Sequence, residues 1–182
     1  MNIVLMGYRC TGKTSTAKAL ANLLERPFVD TDALIEERQG RPIPEIVAEK
    51  GWPGFRIAET AVILDLAAAD GLIIALGGGA VLELANVAAL KKNGFFVWLT
   101  ADPETICARM GKDEATGTTR PSLTGKTSRE EIAAVLAVRT PLYQRLAELT
   151  IDTTALGPEA VAEQVRAALP TGAPLARIKP HE

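Results

Sequence analysis

Residues 3–14, IVLMGYRCTGKT, decide the fold of this 182-residue chain. Four apolar residues enter a loop that begins at Gly7 and matches the pattern G-x-x-x-x-G-K-[ST] of a phosphate-binding loop, the P-loop. Its glycines let the backbone turn tightly and bring N–H groups against an anionic polyphosphate. Lys13 can reach the terminal phosphates, and the Thr14 hydroxyl can bind the magnesium that accompanies them. The pattern therefore predicts a nucleoside triphosphate site.

The residues after the loop predict a helix whose positive end points at the phosphates. Ala17, Leu20 and Leu24 fall at helical spacing, and no Gly or Pro interrupts the stretch before Pro27. A strand before the loop and a helix after it argue against a glycine-rich turn that matches by chance. The residues expected at the phosphates are Cys10, Thr11, Gly12, Lys13, Thr14 and Ser15. The Cys10 thiol near a helix N-terminus is either acidified or a small side chain filling a variable position.

Composition restricts the class of protein. The length and a composition of 47% hydrophobic and 23% charged residues predict one globular domain with its own core. A net charge of −2 argues against a nucleic-acid partner, and no apolar run approaches a membrane span. Two cysteines are too few for a disulfide framework or a zinc site, and a cytoplasmic protein is expected. The sole histidine, His181, lies next to the last residue, so a catalytic base must be Asp, Glu or Lys.

Strands alternate with helices along the chain, which predicts an α/β domain with a parallel sheet covered on both faces. Strands are expected near residues 3–6, 27–32, 72–76, 94–99 and 149–152, and helices over 33–39, 43–50, 56–69, 81–92, 103–110, 128–147 (bent or broken near Pro141) and 158–169. Residues 111–127 are polar, rich in Gly and Thr, and too long for an ordinary connection, which indicates a functional segment. We expect a single domain over 1–169 and a flexible tail over 170–182.

Three strands are expected to end in polar or glycine motifs, and parallel strands place such ends in one crevice. The motifs are the P-loop, residues 30–32 (DTD) and residues 77–79 (GGG). Asp30 is the candidate carboxylate for magnesium, directly or through water. Asp32 is a candidate to accept a hydroxyl proton, or alternatively the N-cap of the helix over 33–39. The glycines either expose backbone N–H groups to a ligand or make a tight turn.

These motifs together resemble the shikimate kinases, from the P-loop to about residue 151. The matching residues are Asp30-Thr31-Asp32 with Ile35 and Glu36, Gly40 before residues 43–46, Phe55-Arg56 with Glu59, residues 76–81 (LGGGAV), Arg120-Pro121, and residues 139–143 (RTPLY). Alone, Arg56 and Arg139 read as solvated helix charges. Several separate motifs in the family's order are much more specific than a P-loop.

The resemblance implies a three-layer P-loop kinase fold with strand order 2-3-1-4-5 and a mobile lid over 111–127. It implies a monomer that transfers the γ-phosphate of Mg-ATP to the 3-hydroxyl of shikimate. In that family Arg56 and Arg139 would clamp the substrate carboxylate, with Glu59 steadying Arg56. Asp32, Gly78 and Gly79 would hold the ring hydroxyls. Arg120 would move in with the lid and neutralise phosphate charge.

The chain departs from the family pattern at two places. The family usually has Gly-Glu where this chain has Gly51-Trp52, which is expected to alter how the substrate-binding helices pack. Residues 153–156 (TTAL) lack the basic residue often placed against adenine, so no residue is assigned to that contact. Two other functions remain open: a gluconate or nucleoside monophosphate kinase, and a non-catalytic nucleotide-binding module of the same fold.

Overall fold

A parallel sheet forms the middle layer of the computed structural model, which describes residues 1–112 and 128–170. Its strands are β1 (Asn2–Met6), β2 (Phe28–Asp30), β3 (Ile73–Ala75), β4 (Gly94–Thr100) and β5 (Leu149–Asp152). They lie in the order β2-β3-β1-β4-β5, and this confirms the predicted order. The helices are α1 (Lys13–Leu24), α2 (Thr31–Gln39), α3 (Ile43–Ala68), α4 (Leu84–Leu90), α5 (Pro103–Lys112), α6 (Ser128–Leu146) and α7 (Pro158–Ala168).

Helices cover both faces of the sheet. Because successive side chains of a strand point to opposite faces, each strand contributes side chains to both of the cores that result. Val4 and Met6 of β1 belong to a core with side chains of α2, α3, α4 and α6. Ile3 and Leu5 belong to a second core with side chains of α1 and α7. The continuous apolar run of β1 is therefore explained by helices packed on both sides. This confirms the predicted three-layer architecture.

The register brings the carboxyl ends of three strands together. Ala75 of β3 pairs with Leu5 of β1 on one side and with Asp30 of β2 on the other. The segments that begin at Gly7, Thr31 and Leu76 therefore leave the sheet side by side. These are the three motifs that the sequence predicts in one crevice.

The start of α2 corrects one alternative reading of the sequence. The helix begins at Thr31, two residues before the predicted start, and Asp30 is its N-cap. The Asp30 carboxylate accepts hydrogen bonds from the N–H groups of Asp32 and Ala33, at 3.0 and 3.4 Å. The N-cap interpretation of Asp32 is therefore wrong, because the side chain two residues earlier already fills that position. Asp32 lies in the first turn of the helix instead.

The segment around Trp52 also differs from the prediction. We expected helices over 43–50 and 56–69 with a loop between them, whereas helical structure continues from Ile43 to Ala68. Only Gly51 leaves the helical conformation, at φ 66° and ψ 176°, so the chain kinks there. The second part begins immediately afterwards because Pro53 is tolerated in a first turn, where its missing N–H has no helical partner.

Two further helix predictions need correction. The helix expected over 81–92 is a short 3₁₀ turn, Ala80–Leu82, followed by α4, because Glu83 has an extended conformation. The helix α6 continues through Pro141 to Leu146, so the broken alternative is wrong, whereas a bend near Pro141 stays a prediction. Residues 111 and 112 of the predicted lid end α5, whereas the remainder of the lid and the tail from residue 171 lie outside the described residues. None of the helices in the described residues is long and apolar enough to span a membrane.

Candidate active site

The phosphate loop is shaped by two glycines in positive φ. Gly7 has a φ of 147°, and a Cβ there would collide with the backbone carbonyl of Leu99 on β4. Gly12, at φ 90°, is the N-cap of α1, and no side chain caps that helix end. A side chain is therefore excluded by contact at Gly7, whereas at Gly12 the positive φ is what favours glycine. The N-terminus of α1 points into the concave side of the loop.

Lys13 and Thr14 occupy the first turn of α1, and their side chains contact different partners. The Lys13 ammonium is buried and donates hydrogen bonds to the carbonyls of Gly7 and Tyr8, at 3.0 and 2.7 Å. The Thr14 hydroxyl donates to Asp30 Oδ2 at 2.5 Å. The structure thus brings the proposed magnesium ligands Thr14 and Asp30 into contact, beside the loop.

A pocket open to solvent lies next to the loop. It contains every residue proposed for the acceptor, together with others that the sequence did not single out. The lining residues are Tyr8, Arg9, Asp32, Ile43, Trp52, Phe55, Arg56, Glu59, Gly77, Gly78, Gly79 and Arg139. These residues come from the segments that follow β1 and β3 and from the helices α2, α3 and α6.

The three glycines after β3 leave room for the charged side chains of this pocket. A Cβ at Gly77 would lie 2.5 Å from Asp32 Oδ1 and 2.9 Å from Glu59 Oε1. A Cβ at Gly78 would lie 3.2 Å from Nη1 of Arg139, and one at Gly79 would collide with the guanidinium of Arg56. None of the three has a positive φ. The triplet does form a tight turn, in which the carbonyl of Gly77 accepts a hydrogen bond from the N–H of Ala80 at 3.0 Å, so the tight-turn reading is confirmed. That turn has no positive φ that would require glycine, and the glycines also allow the close approach of the charged side chains.

The backbone of the triplet is held by side chains on both sides of the pocket. The Thr31 hydroxyl accepts a hydrogen bond from the N–H of Gly77 at 2.8 Å. The Tyr143 hydroxyl donates to the carbonyl of Gly78 at 2.6 Å, and its ring stacks on Trp98 with centroids 5.9 Å apart. Burial raises the pKa of Tyr143 to about 12, so the phenol remains a donor at neutral pH.

Arg56 is fixed by a carboxylate and two aromatic rings. Its guanidinium forms an ion pair with Glu59, one turn along α3, whose side chain is only 1% exposed. The Cζ atom of Arg56 lies 5.6 Å from the Trp52 ring centroid and 5.1 Å from that of Phe55, both within cation–π range. Trp52 therefore supports Arg56, which explains how the chain accommodates it where the family usually has a glutamate.

Burial raises the pKa of Glu59 to about 6, although the positive charge of Arg56 acts in the opposite direction. Glu59 Oε1 is buried and has no hydrogen-bond partner among the described residues. The carboxylate is thus held ionised mainly by Arg56, and the two groups form one unit.

A second pocket lies on the far side of the loop, and sequence reasoning missed two of its polar residues, Arg109 and Thr153. Its lining residues are Cys10, Thr11, Gly12, Ser15, Thr16, Arg109, Thr153, Leu156, Pro158 and Val161. Arg109 on α5 donates to the carbonyl of Thr153 at 2.6 Å and to its hydroxyl at 3.0 Å. No motif marks Arg109 in the sequence, because its partner follows it by 44 residues and only the fold joins them.

Two features proposed from the sequence, the position of Arg120 and the metal site, have different standings in the structure. Arg120 falls within residues 113–127, outside the described residues. In the part of the chain described, no group of three or more His, Cys, Asp or Glu side chains is placed to hold a metal ion.

The phosphate loop, the parallel sheet and two pockets that meet at the loop define a P-loop kinase of a small molecule. Comparison with known proteins gives the family. The sequence profile of the shikimate kinases matches residues 9–170. The chain therefore belongs to the shikimate kinase family.

Individual relatives agree with this assignment over most of their length. A curated shikimate kinase from Syntrophus aciditrophicus is 43% identical over 172 residues, which cover 90% of this chain and 88% of the relative. One from Symbiobacterium thermophilum is 44% identical over 156 residues, covering 84% and 87%. The solved structure of Acinetobacter baumannii shikimate kinase in complex with shikimate superposes with a TM-score of 0.84. It is 34% identical and covers 91% of this chain and 90% of that one.

Proposed function

We propose that this protein transfers the γ-phosphate of ATP to the 3-hydroxyl of shikimate, a step of chorismate and aromatic amino acid biosynthesis. The observation that carries the proposal is the acceptor pocket, where Arg56, Arg139 and Asp32 surround the glycine triplet beside the phosphate loop. Two arginines suit a carboxylate, and a carboxylate with bare backbone suits ring hydroxyls. The pocket thus combines the groups that a hydroxylated carboxylic acid requires.

The donor nucleotide would bind across the loop. The N–H groups at residues 10–15 would cradle the phosphates, and Lys13 would exchange its loop carbonyls for phosphate oxygens. The base would occupy the second pocket beside Arg109 and Thr153. Arg120 would neutralise charge on the transferred group, as in the family.

The donor set beside the loop fits magnesium. Thr14 offers a hydroxyl and Asp30 a carboxylate oxygen, both hard oxygen ligands, and they are already in contact at 2.5 Å. When bound, Mg²⁺ neutralises charge on the β- and γ-phosphates. Asp30 would hold it directly or through water while its other oxygen caps α2.

Chemistry would then run through Asp32. Arg56 and Arg139 hold the carboxylate of the acceptor, which places the 3-hydroxyl against Asp32 Oδ atoms in the pocket. Asp32 accepts the hydroxyl proton as the oxygen bonds to the γ-phosphorus. The bond from that phosphorus to the bridging oxygen of ADP breaks, and ADP leaves. Closing the site would keep water from competing as the acceptor.

We further propose that the enzyme works as a monomer in the cytoplasm, without nucleic-acid or membrane partners. ATP is a cytoplasmic metabolite, and the net charge of −2 gives no basic surface for a polynucleotide. Light scattering of the purified protein tests the oligomeric state.

The experiment that tests the activity measures ADP release from Mg-ATP with shikimate, gluconate or nucleoside monophosphates. Turnover with shikimate alone would support the proposal. Turnover with another acceptor would support a kinase but contradict the proposed binding of a substrate carboxylate by Arg56 and Arg139. ATP binding without turnover on any acceptor would favour a non-catalytic module.

A further inference from the structure

Arg9 is a charged residue of the phosphate loop that none of the roles above uses. Its side chain is only 11% exposed, and it forms an ion pair with Glu131, whose side chain is 2% exposed. Glu131 lies in the first turns of α6, 122 residues further along the chain. The pair therefore joins the phosphate loop to a helix of the acceptor pocket.

Stability alone does not account for a buried ion pair at this position. Tyr8, beside Arg9, packs in an apolar cluster with Ile106, Ile132 and Val135. The free energy needed to remove two charges from water often exceeds the attraction that the buried pair gains. Apolar residues of similar size can therefore often replace such a pair without loss of stability. The pair lies beside that apolar cluster and at the edge of the acceptor pocket, so the charge of Arg9 points to a use other than stability.

The guanidinium also has unused hydrogen-bonding capacity. Arginine has five N–H donors in a rigid fork, and Nη2 of Arg9 donates to Glu131. Its Nε is buried and makes no hydrogen bond of good geometry within residues 1–112 and 128–170, although the guanidinium interacts with the neighbouring Tyr8 hydroxyl. The side chain lines the acceptor pocket together with Asp32 and Arg139. The backbone N of Arg9 lies 3.8 Å from where a Cβ of Gly78 would stand.

We infer that Arg9 is a third arginine of the acceptor pocket, which donates hydrogen bonds to an oxygen of the bound acceptor, and that Glu131 is the positioning residue that holds it there. The inference rests on the proposed function for the identity of the acceptor. Arg9 stands at the wall nearest the phosphate loop, whereas Arg56 approaches from α3 and Arg139 from α6. The pocket thus has one guanidinium from each of three elements.

The test measures the KM for shikimate, the KM for ATP and kcat in Arg9→Met, Glu131→Gln and the double variant. Loss of one charge-assisted hydrogen bond should raise the KM for shikimate about tenfold in Arg9→Met, with the KM for ATP within about twofold of wild type. Glu131→Gln should raise the same KM by less. Because Glu131 acts through Arg9, the double variant should be no worse than Arg9→Met.

Glu104→Gln is the matched control. Glu104 on α5 pairs with Arg129 on α6 at 2.6 Å, but both side chains are exposed and lie outside the pocket. This variant should keep all three kinetic constants. Should Arg9→Met misfold because it leaves a buried carboxylate unpaired, the double variant, which removes both charges, gives the same answer.

An unchanged KM for shikimate in Arg9→Met or in the double variant would overturn the inference. So would an equal rise in the KM for ATP, or losses that multiply in the double variant. A wild-type enzyme that uses another acceptor contradicts the proposed function, and the variants are then compared on that acceptor. A wild type that phosphorylates no acceptor contradicts both.

Discussion

Arg56 is paired with Glu59, a carboxylate whose side chain is almost completely removed from solvent. Burial raises the pKa of Glu59 to about 6, close enough to neutrality for the pair to titrate in an ordinary assay. The ionised form pairs with Arg56 beside the glycine triplet, and protonation is expected to weaken this pairing. Substrate binding should therefore respond to acid through this pair.

We predict that the KM for shikimate rises several-fold as the pH falls from 7.5 to 5.5. The shikimate carboxylate stays ionised over this range, since ordinary carboxyl groups titrate near pH 4. Initial rates at each pH give the KM. Glu59→Gln should have a high KM with no inflection near pH 6. A KM in the wild type that stays flat to pH 5 would exclude control by Glu59.

The same shift affects folding stability with a defined sign. Burial raises the pKa of Glu59 above its value of 4.5 in the unfolded chain, so the folded state binds the proton more tightly. The resulting stabilisation is complete below pH 4.5 and is lost as the pH rises through 6. Between pH 4.5 and 7 the wild type should lose roughly 1–2 kcal/mol of unfolding free energy relative to Glu59→Gln. Urea unfolding of both proteins at the two pH values measures this difference.

Asp32→Asn is expected to lower kcat by roughly 10²–10⁴-fold, the usual contribution of a general base. The amide is nearly isosteric with the carboxylate beside Gly77 but accepts no proton. ATP binding, measured by calorimetry, should persist because Asp32 lies in the acceptor pocket and not in the second pocket. Loss of ATP binding in this variant would contradict the role assigned to Asp32.

Arg139→Lys is expected to raise the KM for shikimate about tenfold, since an ammonium cannot reproduce the bidentate fork of a guanidinium. Arg139 is 7% exposed and adjoins Gly78. Arg145→Lys is the matched control, because Arg145 lies on the same helix and is exposed. An unchanged KM in Arg139→Lys would place Arg139 outside the substrate contact.

The sequence predicts the sheet and much of the acceptor pocket because both depend on local patterns. Buried strands are recognisable in the sequence as apolar runs, and β1 is followed by a loop motif of known geometry. Asp32 and the glycine triplet each follow a strand, and the parallel pairing of β2 with β3 places the ends of these two strands side by side. Arg56 and Arg139 required the family resemblance, because a helical arginine alone is most often a solvated charge.

What the sequence could not predict depends on contacts between distant residues. The ion pair of Arg9 with Glu131 and the hydrogen bonds of Arg109 with Thr153 both join separate elements. The sequence could not decide the N-cap of α2 for a different reason. Asp30 and Asp32 are the same residue type and have equal propensity for the position, so only the place where β2 ends decides between them.

Gly79→Ala is expected to raise the KM for shikimate at least tenfold, because the new methyl group would occupy the space of the Arg56 guanidinium. The φ of −100° at Gly79 suits alanine, so the effect reports the displaced arginine and not backbone strain. Gly157→Ala is the matched control, since its Cβ would meet only Glu159 Oε2 at an ordinary 3.7 Å. A wild-type KM in Gly79→Ala would show that Arg56 can move aside and still bind.

Tyr143→Phe tests whether the hydroxyl that holds Gly78 matters for the pocket. Removing it deletes the 2.6 Å hydrogen bond and leaves the buried carbonyl of Gly78 without that donor. The expected loss is about 1–2 kcal/mol of unfolding free energy, or roughly 2–8 °C in Tm for a chain of this size. The KM for shikimate should rise modestly, because the backbone that faces the acceptor is less firmly held. A lowered Tm with an unchanged KM would limit Tyr143 to stability, whereas a change in neither would mean that water replaces the hydroxyl.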